Sequence, residues 1–139
     1  MIMNTKSRPI SPHITIYKPQ ITSVLSILHR ISGVLLYAGL LLLAWIVISA
    51  AFIDVIFAQG FLDVAVTLFS SVVGKCLLFI WILALNYHAV NGIRHLAWDM
   101  GVGLSKEAVT RSGIISIICA LVFTAISWTL IFKVIFSYV

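Results

Sequence analysis

An all-α membrane protein with three transmembrane helices is the fold class this sequence predicts, and three observations predict it. Of 139 residues, 62% are hydrophobic and 9% are charged, and the mean hydropathy is +1.17. A soluble domain carries about 25% charged residues, so this chain has too few charges to solvate a surface and lipid must cover much of it. The apolar residues gather in three runs, each of the roughly 20 residues that a spanning helix needs. Short connections hold most of the remaining polar groups, and one membrane domain accounts for residues 1–139.

The elements follow in order. Residues 1–20 contain all three prolines, Pro9, Pro12 and Pro19. Proline fixes φ and lacks a donor, so this stretch reads as an extended polar arm. Helix one is expected over about 21–52. Its first ten residues are amphipathic entry turns, with Leu25, Leu28 and Ser32 spaced along one face and Ser26 and Arg30 along another. The stretch 53–71 holds Asp54, Gln59, Gly60 and Asp63 and reads as a loop, with at most a short interfacial helix. Helix two is expected over about 73–98, with Lys75 placed to snorkel to the interface. A polar loop over 100–111 carries Gly101, Gly103, Lys106 and Glu107. Helix three is expected over about 113–135, with Lys133 and Tyr138 marking its outer edge.

Charge orients these spans. The arm and entry turns carry Lys6, Arg8, Lys18 and Arg30, and the end of helix two with its following loop carries Arg94, Lys106 and Arg111. The first loop carries two aspartates. The positive-inside rule therefore puts the N-terminus and the second loop on the cytoplasmic side. Residues 23–33 and 88–99 then share one leaflet although they are distant in sequence. No cleavable signal and no Arg-rich presequence is visible ahead of the first run. The expected location is a bacterial inner membrane, a mitochondrial one being the less expected.

The formal charge of +5 does not signal nucleic acid, because the nine Lys and Arg residues scatter over helix ends and form no basic face. Cys76 and Cys119 lie in apolar runs with no CxxC pattern and are expected to be small apolar packing residues.

Two polar groups carry the chemistry. Ionisable residues at membrane depth are costly and mark functional sites. On a helix of 3.6 residues per turn, His88, Gly92 and His95 share a face. That face offers an imidazole, a gap, and a second imidazole, which suits a flat cofactor held by an axial nitrogen. Haem iron is commonly held by histidine, and Arg94 is a natural partner for a propionate. The structural alternatives are a histidine bonded across a helix interface and an arginine that only anchors topology. The second group runs over residues 23–33, where Ser26 and Arg30 share a face, as do His29 and Gly33. A hydroxyl and a cation in an apolar setting suit the two carbonyls of a quinone.

With both groups in view, the chain resembles the cytochrome b556 subunits of succinate dehydrogenase, the larger membrane anchors of respiratory complex II. The resemblance rests on Arg8-Pro9 followed by Ser26-x-x-His29-Arg30-x-Ser32, and on His88-x-x-x-Gly92-Ile93-Arg94-His95-Leu96-x-Trp98-Asp99-x-Gly101. It implies that His88 ligates haem b opposite a histidine of a second small anchor subunit. It implies that His29, Arg30 and His95 lie near the propionates, and that Ser26 and Arg30 line a ubiquinone site. The implied partners are that second anchor, an iron–sulfur subunit and a flavoprotein subunit, and electrons would pass from succinate to ubiquinone. The third span matches only as an apolar helix. A fumarate-reductase-type anchor, a stand-alone haem b carrier and a small proton-relaying transporter are the alternatives.

Overall fold

No proline follows residue 19, so nothing in the apolar runs interrupts a helix, and a backbone in hydrocarbon must satisfy its own hydrogen bonds. The computed structural model describes residues 18–52 and 55–135, and within them every regular element is helical. The arm up to residue 17, Asp54 and Tyr138 lie outside the described residues. Four helices follow one another: α1 (Ile21–Phe52), α2 (Val55–Ser70), α3 (Val72–Asp99) and α4 (Lys106–Ile135). Helices α1, α3 and α4 contain stretches long and apolar enough to cross a membrane: Ile21–Ser49, Val72–Asp99 and Lys106–Lys133.

Two elements differ from the sequence reading. The stretch expected to be mainly loop is the 16-residue α2. Ser71 separates it from α3, and the Ser71 hydroxyl accepts the Gly74 N–H at 3.1 Å as an N-cap. The last helix begins at Lys106, about seven residues before the expected start. Ser105 caps it by accepting the Ala108 N–H at 3.2 Å, and Glu107 sits in the first turn, where a carboxylate suits the helix dipole. Hydropathy marks where a helix enters lipid, whereas capping marks where it begins.

The α3–α4 connection is correspondingly short. Gly101 has φ +77°, and Val102 N–H reaches Ala97 O at 2.9 Å while Gly101 N–H reaches Trp98 O at 2.8 Å. This is a Schellman ending, and its left-handed position favours glycine.

Helix α3 is central and packs against α1, α2 and α4. Small and polar residues make its contacts. On α4, Gly113, Ser116, Ala120 and Thr124 are all buried. Ser116 and Thr124 donate their hydroxyls to the carbonyls of Ser112 and Ala120 on their own helix, at 2.8 and 2.7 Å. Asn86 of α3 donates to Ile82 O at 3.1 Å and to Thr124 Oγ1 at 3.4 Å. Lipid tails are as apolar as leucine, so close approach of small residues and such bonds, rather than hydrophobicity, join membrane helices. On the α1 side, Gly39 seats the Trp81 indole so closely that a Cβ there would overlap it. The large apolar residues point outward: Trp45 is 70% exposed and Phe52 86%.

Candidate functional site

The antiparallel path brings the first turns of α1 beside the last turns of α3. Tyr87 donates its hydroxyl to Leu25 O at 2.8 Å, tying the two helices at this level. Three imidazoles gather next to this bond. The rings of His29 and His88 stack with centroids 4.0 Å apart and planes 11° from parallel. His95 lies 5.0 Å from His29, tilted by 39°. Trp98 then meets His95 edge-on at 5.0 Å.

The position of His88 is defined through one nitrogen. Its Nδ1 lies 3.1 Å from Ser32 Oγ and 3.2 Å from the His29 carbonyl oxygen. A carbonyl only accepts, so the proton belongs on Nδ1. Ser32 donates its own hydrogen to the same carbonyl at 2.8 Å, which leaves its lone pairs for His88. The tautomer with its proton on Nδ1 carries its lone pair on Nε2. Gly33 lies against this ring, and a Cβ there would come to 3.0 Å from His88 Cε1. Gly92 is less confined, since its Cβ would sit 3.8 Å from His29 Cε1. The buried Nδ1 of His29 has no hydrogen-bond partner.

These features fit a flat metal macrocycle. One imidazole presents an unprotonated nitrogen, glycines lie at the ring edge, and a neighbouring imidazole has an unused polar atom. His29 does not serve as a ligand opposite His88, because stacked rings do not point end-on toward one metal between them. His95, two turns further along the same helix, does not stand opposite either.

The remaining expected site residues separate. Ser26 is half-buried and Arg30 exposed, and no hydrogen bond or ring contact among the described residues joins either to the imidazoles. Arg94 turns into the α3–α4 interface, where it is 6% exposed. Its Nε donates to Ser112 Oγ at 3.0 Å, Nη1 to Asn91 Oδ1 at 3.2 Å and Nη2 to Val109 O at 3.0 Å. Its guanidinium carbon lies 4.0 Å from the centre of the Trp98 ring. Arg94 thus clamps two helices and touches the imidazole row only through Trp98.

Sequence reasoning singled out neither Ser32 as a partner of His88 nor Asn91 as a partner of Arg94. Only the second was signalled by spacing: Asn91 precedes Arg94 by three residues, which puts that pair on one helix face, whereas Ser32 and His88 are 56 residues apart. An apolar cleft of about 620 Å³ lies between α1, α3 and α4, lined by residues such as Leu28, Leu35, Leu83 and Leu121 and by none of the three histidines.

Comparison with known proteins identifies the family of the chain. Residues 4–127 match the model of the succinate dehydrogenase/fumarate reductase transmembrane subunit family. The chain is similar to the succinate dehydrogenase cytochrome b556 subunit of Rickettsia bellii, at 43% identity over 87% of this chain and 90% of that one. It is also similar to the cytochrome b560 subunits of Reclinomonas americana, at 41% identity over 88% and 85%, and of Mus musculus, at 38% identity over 84% and 68%.

Proposed function

The chain belongs to the family of succinate dehydrogenase/fumarate reductase transmembrane subunits, and from that premise we propose that it is the larger membrane anchor of a succinate:ubiquinone oxidoreductase, holding haem b with a second anchor subunit. It is a multi-pass membrane protein. We assign it to a bacterial inner membrane, in keeping with the Rickettsia relative. The N-terminus and the α3–α4 loop face the cytoplasm, where Lys18, Arg30, Lys106 and Arg111 cluster at one end of the bundle.

The observation that carries the reading is His88 Nδ1 held between two oxygens, which leaves Nε2 as the nitrogen that would hold the haem iron. Haem, when bound, supplies a one-electron centre at membrane depth. The chain's own residues do the rest. Ser32 and the His29 carbonyl orient the ligand, and Gly33 and Gly92 leave room beside it. His29, with its unspent Nδ1, takes a propionate together with His95 and Arg30. The second anchor subunit would supply the other protein ligand to the iron.

Ser26 and Arg30 lie one turn apart and offer a hydroxyl and a cation to the carbonyl oxygens of ubiquinone. The cation stabilises the charge that develops there on reduction, and protons enter from the cytoplasmic side. Succinate oxidation belongs to the flavoprotein and iron–sulfur subunits, since the two cysteines of this chain, Cys76 and Cys119, lie on different helices and form no cysteine cluster for such a centre.

The test is the redox difference spectrum of the purified complex carrying His88→Ala. Loss or distortion of the low-spin b-type signal, with the subunits still assembled, is expected. An unchanged low-spin spectrum refutes the ligand assignment.

A further inference from the structure

We propose that Ser32 is a positioning residue whose hydroxyl, together with the His29 carbonyl, fixes the tautomer of His88 and raises the donor strength of its Nε2. The inference rests on the haem reading above and adds a residue to it. Ser32 is 5% exposed, so water does not compete for its hydroxyl. Its hydrogen is committed to His29 O at 2.8 Å, which turns the oxygen's lone pairs toward His88 Nδ1 at 3.1 Å. His29 O accepts from the same Nδ1 at 3.2 Å. The Nδ1–H is therefore shared between two acceptors that both belong to one turn of α1.

An acceptor at Nδ1 pushes electron density to the opposite nitrogen and makes the imidazole a stronger ligand. A stronger donor stabilises ferric over ferrous iron and lowers the reduction potential. The carbonyl is backbone and stays when side chains change. Ser32 is the half of the pair that a side chain supplies, and it sets the potential beyond what the carbonyl alone provides. It also holds the ring against Gly33, where a Cβ would reach 3.0 Å from Cε1, so the ring has little freedom to turn and find another partner.

The experiment uses the intact membrane complex with wild-type chain, Ser32→Ala, Ser32→Thr and His88→Ala. Haem per complex, the g-values of the ferric state and the midpoint potential from a redox titration are read. Ser32→Ala is expected to keep haem while its midpoint moves to more positive potential and its ferric g-values change. Ser32→Thr, which keeps a hydroxyl able to bond the carbonyl three residues back, is expected to restore both toward wild type. If Ser32→Ala loses haem outright and Ser32→Thr retains it, the hydroxyl role also stands. Full haem with unchanged potential and g-values in Ser32→Ala overturns the proposal, as does equal loss of haem in both Ser32 variants. A His88→Ala complex with an unaltered low-spin signal marks failure of the ligand assignment itself, and this is read separately from the Ser32 result.

Discussion

At Gly33 a hydrogen stands where any other residue would place a carbon, and the His88 imidazole uses that room. The 3.0 Å approach of a notional Cβ to His88 Cε1 is tighter than ordinary contact, whereas the 3.8 Å approach at Gly92 is ordinary. Overfilling a packed contact costs about 1–3 kcal/mol. Gly33→Leu is therefore expected to displace the ring and cut haem content sharply, and Gly92→Ala to leave it near wild type. Haem per complex, measured on the purified variants, checks both. Full haem in Gly33→Leu would mean that the ring does not need its present seat. The helical face of His88, Gly92 and His95 was legible in the sequence because 3.6-residue periodicity places those positions whatever they touch. The confining glycine was not, because it lies on α1, and only the rotation of α1 against α3 decides which glycine meets the ring.

Arg94 shows the same limit at the scale of elements. Its charge and its place at a span end suggested a carboxylate partner, but its three nitrogens bond within α3 and across to α4. Val109 belongs to the stretch that hydropathy assigned to a loop and Ser112 precedes the expected start of the last helix, so these partners were hidden from a composition-based reading. The α4 stripe lay in the sequence unread: Ser112, Ser116, Ala120 and Thr124 recur every four residues, the spacing of small positions that let membrane helices approach, while the third span was taken only as an apolar helix. Lysine lacks the planar fork that serves three acceptors at once, and a buried acceptor left without its donor costs about 1–3 kcal/mol. Arg94→Lys is expected to lower the thermal unfolding midpoint of the detergent-solubilised complex while the surviving complex keeps the wild-type haem midpoint potential. A shifted potential at unchanged thermal stability would return Arg94 to the propionates. The three spans themselves were legible because each is a long, predominantly apolar run without proline. The helical state of residues 55–70 was not, because Asp63, Gln59 and Gly60 imitate a loop.

On the scale of the whole molecule, the chain divides labour with its partners. Most large apolar side chains face outward, and the imidazole row uses one side of α3 near the membrane edge. On the proposed function, succinate oxidation belongs to the partner subunits and not to this chain. Substitutions at Ser26 and Arg30 are therefore expected to impair ubiquinone reduction while succinate oxidation by a soluble artificial acceptor continues. A lost hydrogen bond from a neutral donor costs about 0.5–1.5 kcal/mol and from a charged donor about 1.5–3 kcal/mol, so Arg30→Leu is expected to be more severe than Ser26→Ala. Steady-state assays with the two acceptors, with haem content measured alongside, separate these effects. Wild-type ubiquinone reduction in both variants with haem intact would move the quinone site elsewhere.

On the proposed function this chain holds a haem that succinate can reach through its partners. The direct measurement is to purify the tagged wild-type chain from its own membrane under mild detergent, identify the subunits that accompany it, and add succinate while recording the visible spectrum. Expected is a complex with flavoprotein, iron–sulfur and second anchor subunits, whose low-spin b-type haem is reduced by succinate and whose signal depends on His88. A chain that purifies without those subunits, or a complex with no haem absorbance at all, would contradict it.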